Sequence, residues 1–465
     1  VAFTQFTYVY FLLGVVLAYW LVGRRTGQNL LLLGASYTFY GWVAPWYCFL
    51  ILISTVVDYE CAAQMERRND DEKARKRLLI LSLVVNLGIL ASFKYFNFFV
   101  DNAHTALTSL GFQVSPVLLR VALPVGISFY TFQTLSYTID VYRRRMQPTH
   151  SLLDFAVFVS CFPQLVAGPI ERARLLLPQI QSDKRFDWAL VEAAVPLLIR
   201  GYLKKLVIAD NVALFVGKVY MLQSPSAWLL FAGTVAFAIQ IYADFSAYTD
   251  LARGSARLLG LDLQENFDSP YQAISPSDFW RRWHITFSSW IRDYLYVPLG
   301  GSRVSSRWRR GAVVMTSMTL SGLWHGAAWT FVAWGVFHGV LLLGYRSAGL
   351  GGRWQPSTRT RWVLAWLVMT GLTLVGWAIF RAPSLGWLAR AATNLTWGLS
   401  GDELLVGWVI LGLVALYASP LLAMRFVDRR FPKGGPAHWA FLGAALVLIT
   451  VFARDSSPDF IYFQF

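Results

Sequence analysis

Histidine is the side chain whose ordinary pKa, about 6.5, lets it take up and return a proton near neutral pH. Two histidines, His325 and His338, stand inside residues 311–345, a stretch without Lys, Arg, Asp or Glu. A titratable group surrounded by so much apolar sequence is a functional hypothesis, because polar groups are costly in hydrocarbon. His325 sits in Ser321-Gly322-Leu323-Trp324-His325-Gly326, whose small residues let another backbone or a substrate approach closely. Trp324 and Trp329 supply bulk to wall a cavity. The chemistry this pattern suits is general base catalysis, in which His325 removes a proton from a hydroxyl or thiol during acyl transfer and returns it to the leaving group. Two other readings use the same residue: an interhelical hydrogen bond and a proton relay in a transporter. His338 lies at a different angle on a continuous helix and reads as structural.

His284 is the second candidate, either for orienting an acyl donor or hydrogen-bonding its carbonyl, or as an ordinary interfacial residue. It follows Ser275-Pro276-Ser277-Asp278, a helix start with a capping Ser, Pro at the first helical position and an acid three residues after the cap. The predicted helix continues from Asp278 through Thr286, and its mixture of aromatic and basic residues suits a membrane interface. Asp278 is spaced to pair with Arg281 or Arg282. Elsewhere Arg200 and Lys204 share a helix face and read as side chains snorkelling to a membrane boundary, the alternative being a phosphate-binding patch. Asp244 or Ser246, after an apolar run, reads as the cap of a following helix.

The elements that must position these residues are membrane helices. The chain has 465 residues, 56% hydrophobic and 14% charged, with mean hydropathy +0.47. Apolar runs near the ~20 residues that cross about 30 Å of hydrocarbon recur along it, which makes it an all-α polytopic membrane protein. Expected crossings are 7–22, 29–43, 46–62, 78–100, 228–242, 362–380, 404–424 and 438–452, with a shorter apolar segment at 107–121 and a helix opening at Pro124-Val125-Gly126. Residues 162–169 are apolar but broken by Pro and Gly, which predicts a re-entrant or interfacial segment. Residues 311–345 as one helix would be about 52 Å long, so a broken or strongly tilted arrangement is expected. The net charge of +15 is concentrated in loops, where it signals positive-inside topology rather than nucleic-acid binding. The first span and its flanks place the N-terminal end outside, with no cleavable signal peptide expected, and residues 454–465 form an extracytoplasmic tail. Cys48, Cys61 and Cys161 lack metal-type spacing and read as core residues. Residues 1–465 read as one membrane domain, without G-x-S-x-G, P-loop, HExxH or any metal cluster.

Several longer motifs go further. Pro124-Val125-Gly126-Ile127-Ser128-Phe129-Tyr130-Thr131-Phe132-Gln133, then Phe162-Pro163-Gln164-Leu165-Val166-Ala167-Gly168-Pro169-Ile170, residues 278–296, Trp324-His325-Gly326 and the ending Phe460-Ile461-Tyr462-Phe463-Gln464-Phe465 resemble, in order, the membrane-bound O-acyltransferases, in particular their alginate O-acetyltransferase branch. The resemblance implies a ring of tilted helices around a funnel, where a cytoplasmic acyl thioester meets an acceptor from the other side. By position it implies that His325 is the family's histidine and His284 a second active-site polar residue, with Trp324, Asp278, Arg281, Arg282, Arg200 and Lys204 as binding candidates. It further implies acetyl-CoA as donor, an exported polysaccharide such as alginate as destination, and the bacterial cytoplasmic membrane as location. A periplasmic SGNH-type acetyltransferase would be a separate partner, alongside the polysaccharide synthesis and export machinery. Tyr462, on the outer side, becomes a candidate acyl shuttle, the alternative being an aromatic anchor. A polysaccharide or lipid flippase using His325 as proton relay is the competing function, and acylation of a secreted peptide a further one.

Overall fold

A computed structural model of the chain describes residues 3, 5–42, 44–112, 115–116, 118–119, 123–166, 168–393, 401–453 and 460–461. Among the described residues the chain is helical without a strand. The helices are α1 Phe6–Leu21, α2 Arg25–Gly41, α3 Tyr47–Arg67, α4 Glu72–Leu90, α5 Phe96–Ser109, α6 Ile127–Tyr142, α7 Leu152–Ser160, α8 Phe162–Leu165, α9 Ala173–Gln181 and α10 Trp188–Tyr202. They continue as α11 Asp210–Met221, α12 Ala227–Leu258, α13 Pro276–Arg282, α14 Ile285–Trp290, α15 Arg307–His325, α16 Trp329–Ser347, α17 Arg359–Arg381, α18 Leu385–Thr393, α19 Gly401–Arg430 and α20 Pro436–Phe452. Among the described residues five helical stretches are long and apolar enough to cross a membrane: Tyr47–Arg67, Glu72–Ser109, Ala227–Leu258, Arg359–Arg381 and Gly401–Arg430. The chain is thus an all-α polytopic membrane protein.

The chain forms two compact units, Val1–Ala194 with Ala252–Gln264, and Val195–Leu251 with Glu265–Phe465. In the first, α3, α4, α6 and α7 pack on one another around a buried polar knot. Asp58 accepts hydrogen bonds from Ser82 Oγ (2.5 Å) and from Asn86 Nδ2 (3.0 Å to each carboxylate oxygen), so its polarity is answered locally. The two glutamine motifs meet here as well. Gln133 of α6 and Gln164 of α8 both donate through Nε2 to the Phe158 carbonyl. Gly126 enters α6 at φ 79°, and a Cβ there would lie 2.6 Å from the Leu165 carbonyl oxygen, so only glycine meets both demands.

In the second unit α15 and α16 form a tight hairpin, flanked by α17 and by α13. A π-helical segment, Leu203–Ala209, joins α10 to α11 and packs through Leu203, Val207, Ile208 and Ala209 with Ala243 of α12 and Ala445 of α20. It carries Lys204, whose fate differs from the sequence expectation, and follows Arg200 of α10. Lys204 is buried and 2.6 Å from Asp250; Arg200 reaches Asp428 at 2.5 Å. Lys205 lies 2.8 Å from Asp210 and 3.0 Å from Asp244. Lys204 therefore does not snorkel, because a carboxylate on α12 neutralises it inside the protein, and breaking such a buried pair costs roughly 3–5 kcal/mol; Arg200 is half-buried and pairs with a carboxylate on α19.

Three further expectations are corrected. Asp244 and Ser246 do not cap a new helix: α12 runs unbroken through them, because Lys205 and Lys204 satisfy these polar groups in mid-helix. The span expected at 78–100 extends over Glu72–Ser109 by way of a π-helical turn at Ala91–Tyr95, so the segment expected at 107–121 begins inside α5. Several residues of that segment lie outside the described ones. The helix opened by Ser275 stops at Arg282 instead of continuing through Thr286.

Candidate active site

The start of α13 is built as its residues dictate. Ser275 Oγ accepts from the Asp278 backbone N–H at 3.2 Å, and Pro276 occupies the first turn. The Asp278 carboxylate then receives Arg281 at 3.2 Å and Arg282 at 3.0 Å. Directly after the helix ends, His284 adopts a left-handed backbone, φ 43° and ψ 57°, which is unusual outside Gly and Asn. Asn266 holds it there. Its Oδ1 accepts from the Thr286 backbone N–H (3.2 Å) and Thr286 Oγ1 (2.7 Å) and faces His284 Nδ1 at 3.2 Å, while its own carbonyl accepts from the Ile285 N–H (2.9 Å).

This arrangement selects the tautomer of His284. The backbone N–H of Thr286 can only donate, so the Asn266 amide must turn its oxygen toward it, and that same oxygen can only accept from His284. Nδ1 of His284 therefore carries the proton, and in the neutral ring Nε2 offers a lone pair. In that tautomer Nε2 accepts a proton or a hydrogen bond from a hydroxyl or thiol. The ring is fully buried, walled by Phe245 at 4.7 Å and Phe287 at 5.0 Å.

His325 is the last residue of α15. The chain breaks immediately after it, with Gly326 and Ala328 extended (φ −166° and −147°), and α16 returns alongside, so 311–345 is a broken hairpin. The turn is close because Gly322 and Gly335 bring backbones together: a Cβ on Gly322 would lie 2.1 Å from Phe331 O, and one on Gly335 2.3 Å from Met318 O. The small residues around His325 thus serve helix contact. His325 is 3% exposed, with ring centroids of Trp324, Trp334, Phe287 and Phe380 at 5.0–5.4 Å. Both histidines share walls, since His284 and His325 each pack on Phe287 and Trp324. His338 lies on the other side of Trp334, at 4.7 Å from it, and stacks against Phe279. Trp329, expected to wall a cavity, is 53% exposed; Trp324 is buried.

A cavity of about 470 Å³ opens beside this cluster. Ser321, one helical turn before His325, and Phe287, which touches both histidines, form part of its lining, and Arg281, Arg292 and Arg346 supply its positive charge. Arg292 lies outside the spanning helices, where its hydrogen bond to Asp293 (2.7 Å) raises its pKa further and keeps it charged. Among the expected binding residues Arg281 lines the cavity; Asp278 steadies Arg281 and Arg282 from beside it, and Arg200 and Lys204 are paired elsewhere. Tyr462 lies outside the described residues. Sequence reasoning missed Asn266, Arg292 and Arg346. Asn266 sits in a polar loop, and the one available signal was an Asn just after an acidic residue with no helix to cap. Among the described residues no cluster of His, Cys, Asp and Glu has the makings of a metal site.

Comparison with known proteins accords with this geometry. The sequence model of MBOAT, the membrane-bound O-acyltransferase family, matches residues 30–380. A probable alginate O-acetylase AlgI of Pseudomonas aeruginosa is 38% identical over 439 residues, covering 90% of this chain and 83% of the relative. A peptidoglycan O-acetyltransferase of Helicobacter pylori is 34% identical, covering 80% of this chain and 74% of the relative. A teichoic acid D-alanyltransferase of Bacillus subtilis is 26% identical over 55% of this chain and 68% of its own length. With a family match spanning most of the chain, the two buried histidines lie in a protein that belongs to the membrane-bound O-acyltransferase family and is an O-acyltransferase.

Proposed function

We propose that this enzyme passes an acetyl group from acetyl-CoA on the cytoplasmic side of a bacterial inner membrane toward a polysaccharide on the other side. The observation that carries the reading is the placement of His325 at the break between α15 and α16, one turn from a cavity ringed by Arg281, Arg292 and Arg346. The arginines match the phosphates of CoA, and the apolar and serine-lined interior suits its pantetheine arm. Asp278 orients Arg281 and Arg282, Trp324 walls the acyl end, and Arg200 and Lys204 belong to the scaffold. His325 takes the proton of the attacking hydroxyl, the acetyl carbon forms a C–O bond as its C–S bond breaks, and the thiolate leaves with the proton. His284, through Nε2, accepts a hydrogen bond from the hydroxyl or thiol and orients it.

Relatives named for alginate, peptidoglycan and teichoic acid support a cell-surface polymer as the class of final acceptor, and alginate is the favoured member. In this reading Tyr462 is the first acceptor: its phenol takes the acetyl group as an aryl ester, and a separate periplasmic SGNH-type acetyltransferase moves it to the polymer delivered by the synthesis and export machinery. The test uses purified protein with acetyl-CoA labelled in the acetyl group. His325→Ala is expected to lower thioester turnover by about 10²- to 10⁴-fold while leaving a folded, membrane-inserted protein. Turnover near that of the unmodified protein would remove His325 from the chemistry.

A further inference from the structure

Asp244 is a carboxylate in the middle of α12, 2% exposed, which the transfer chemistry above does not use. Its two oxygens have separate partners. Oδ1 lies 3.0 Å from Lys205 Nζ, which is itself 2.8 Å from Asp210. Oδ2 accepts the backbone N–H of Ile461 at 2.8 Å, from 217 residues further along the chain. A backbone amide bonded to a buried carboxylate that already has a lysine partner adds little to charge balance. What it adds is position, because a charge-assisted bond in a site closed to water fixes the geometry of the donor segment.

The neighbouring side chains point the same way. Phe460 and Ile461 are both essentially inaccessible. The Phe460 ring stacks on Tyr248 at 4.0 Å and tilts against Phe245 at 5.6 Å. Phe245 in turn stands edge-on to His284, 4.7 Å away. Residues 244, 245 and 248 lie within about one turn of α12, so one short patch of that helix grips the segment 460–461 and also walls a catalytic histidine.

We propose that Asp244, paired with Lys205, is a positioning residue: it seats residues 460–461 of the C-terminal segment against the Phe245 wall of His284. This rests on the reading that the C-terminal segment takes part in transfer. It adds the specific bond that places it, and it explains why a lysine and two aspartates are kept buried where an apolar cluster would serve stability as well.

Two variants of the full chain test it. Ile461→Pro removes the N–H donor and leaves Asp244 and Lys205 intact. It is expected to lower acetyl transfer to polymer in membranes at least tenfold, with CoA affinity and thermal unfolding unchanged. Transfer at the rate of the unmodified protein in Ile461→Pro overturns the proposal. The second measurement follows the segment itself, using Ile461→Cys in a background with Cys48, Cys61 and Cys161 replaced. Maleimide labelling is expected to be slow there and at least tenfold faster once Asp244→Ala is added; equal rates overturn the proposal. Tyr462→Phe separates this idea from the shuttle. If Tyr462→Phe is active and Ile461→Pro is not, the seat stands without the shuttle; the reverse result removes the seat and keeps the shuttle.

Discussion

His284 is held in a left-handed backbone conformation that costs a non-glycine residue roughly 1–3 kcal/mol. Asn266 makes it tolerable by accepting from the Thr286 N–H, the Thr286 hydroxyl and His284 itself, and in doing so settles which ring nitrogen bears the proton. Asn266→Ala removes the acceptor that these donors share. It is expected to cost about 1–3 kcal/mol in unfolding experiments and to lower turnover at least tenfold. Asn266→Asp separates the two effects, because it keeps the acceptor but adds a negative charge beside Nδ1. That charge favours the imidazolium and raises the pKa of His284, so the neutral ring needed for Nε2 to accept becomes available only at higher pH. The rising limb of the pH–rate profile should therefore move upward in pH for Asn266→Asp. An unmoved profile would show that protonation of His284 does not limit turnover over the pH range assayed.

Among the helices, the hairpin of α15 and α16 determines where His325 points. Its helices touch backbone to backbone at Gly322 and Gly335, where any Cβ would overlap a carbonyl oxygen of the facing helix. Gly335→Ala should force the helices apart, with an overpacking cost of about 1–3 kcal/mol and a loss of transfer as His325 leaves its aromatic walls. Gly344→Ala, on the same helix but with nothing within 4 Å of the added Cβ, is the control. It should leave thermal unfolding unchanged or raise stability by up to about 1 kcal/mol through helix propensity. Equal behaviour of the two variants in detergent would show that the close contact does not hold the hairpin.

For the whole molecule, the direction of transfer depends on which side of the membrane each loop faces. Arg425, Arg429, Arg430 and Lys433 cluster at the end of α19 and in the loop before α20, and positive charge of this kind stays cytoplasmic. The seventeen residues of α20 extend about 25 Å, near the thickness of the hydrocarbon core. Single cysteines at Lys433 and Arg454 should accordingly react with impermeant reagents from opposite faces, the second from outside. Labelling of both from one face would mean that α20 does not cross, and the C-terminal segment would then share a side with the donor.

The amino-acid sequence by itself determined the all-α membrane character, the capped start at Ser275 and that 311–345 is not one upright span, all of which depend on hydropathy, helix period and capping acting between residues a few positions apart. The family was legible through a resemblance of motifs spread along the chain; that 311–345 is broken rather than tilted was decided by the tertiary structure. Only the tertiary structure decided that Asp244 lies in mid-helix, since the lysine that answers it is thirty-nine residues away in a π-helical segment. It likewise decided the left-handed turn and burial of His284, through an asparagine eighteen residues earlier, and the meeting of Gln133 with Gln164 on one carbonyl. An aspartate before a serine reads locally as a cap, and a histidine among tryptophans and arginines reads locally as interfacial. In both cases a partner distant in sequence supplies the charge or the acceptor that makes burial affordable, and no local pattern encodes that partner.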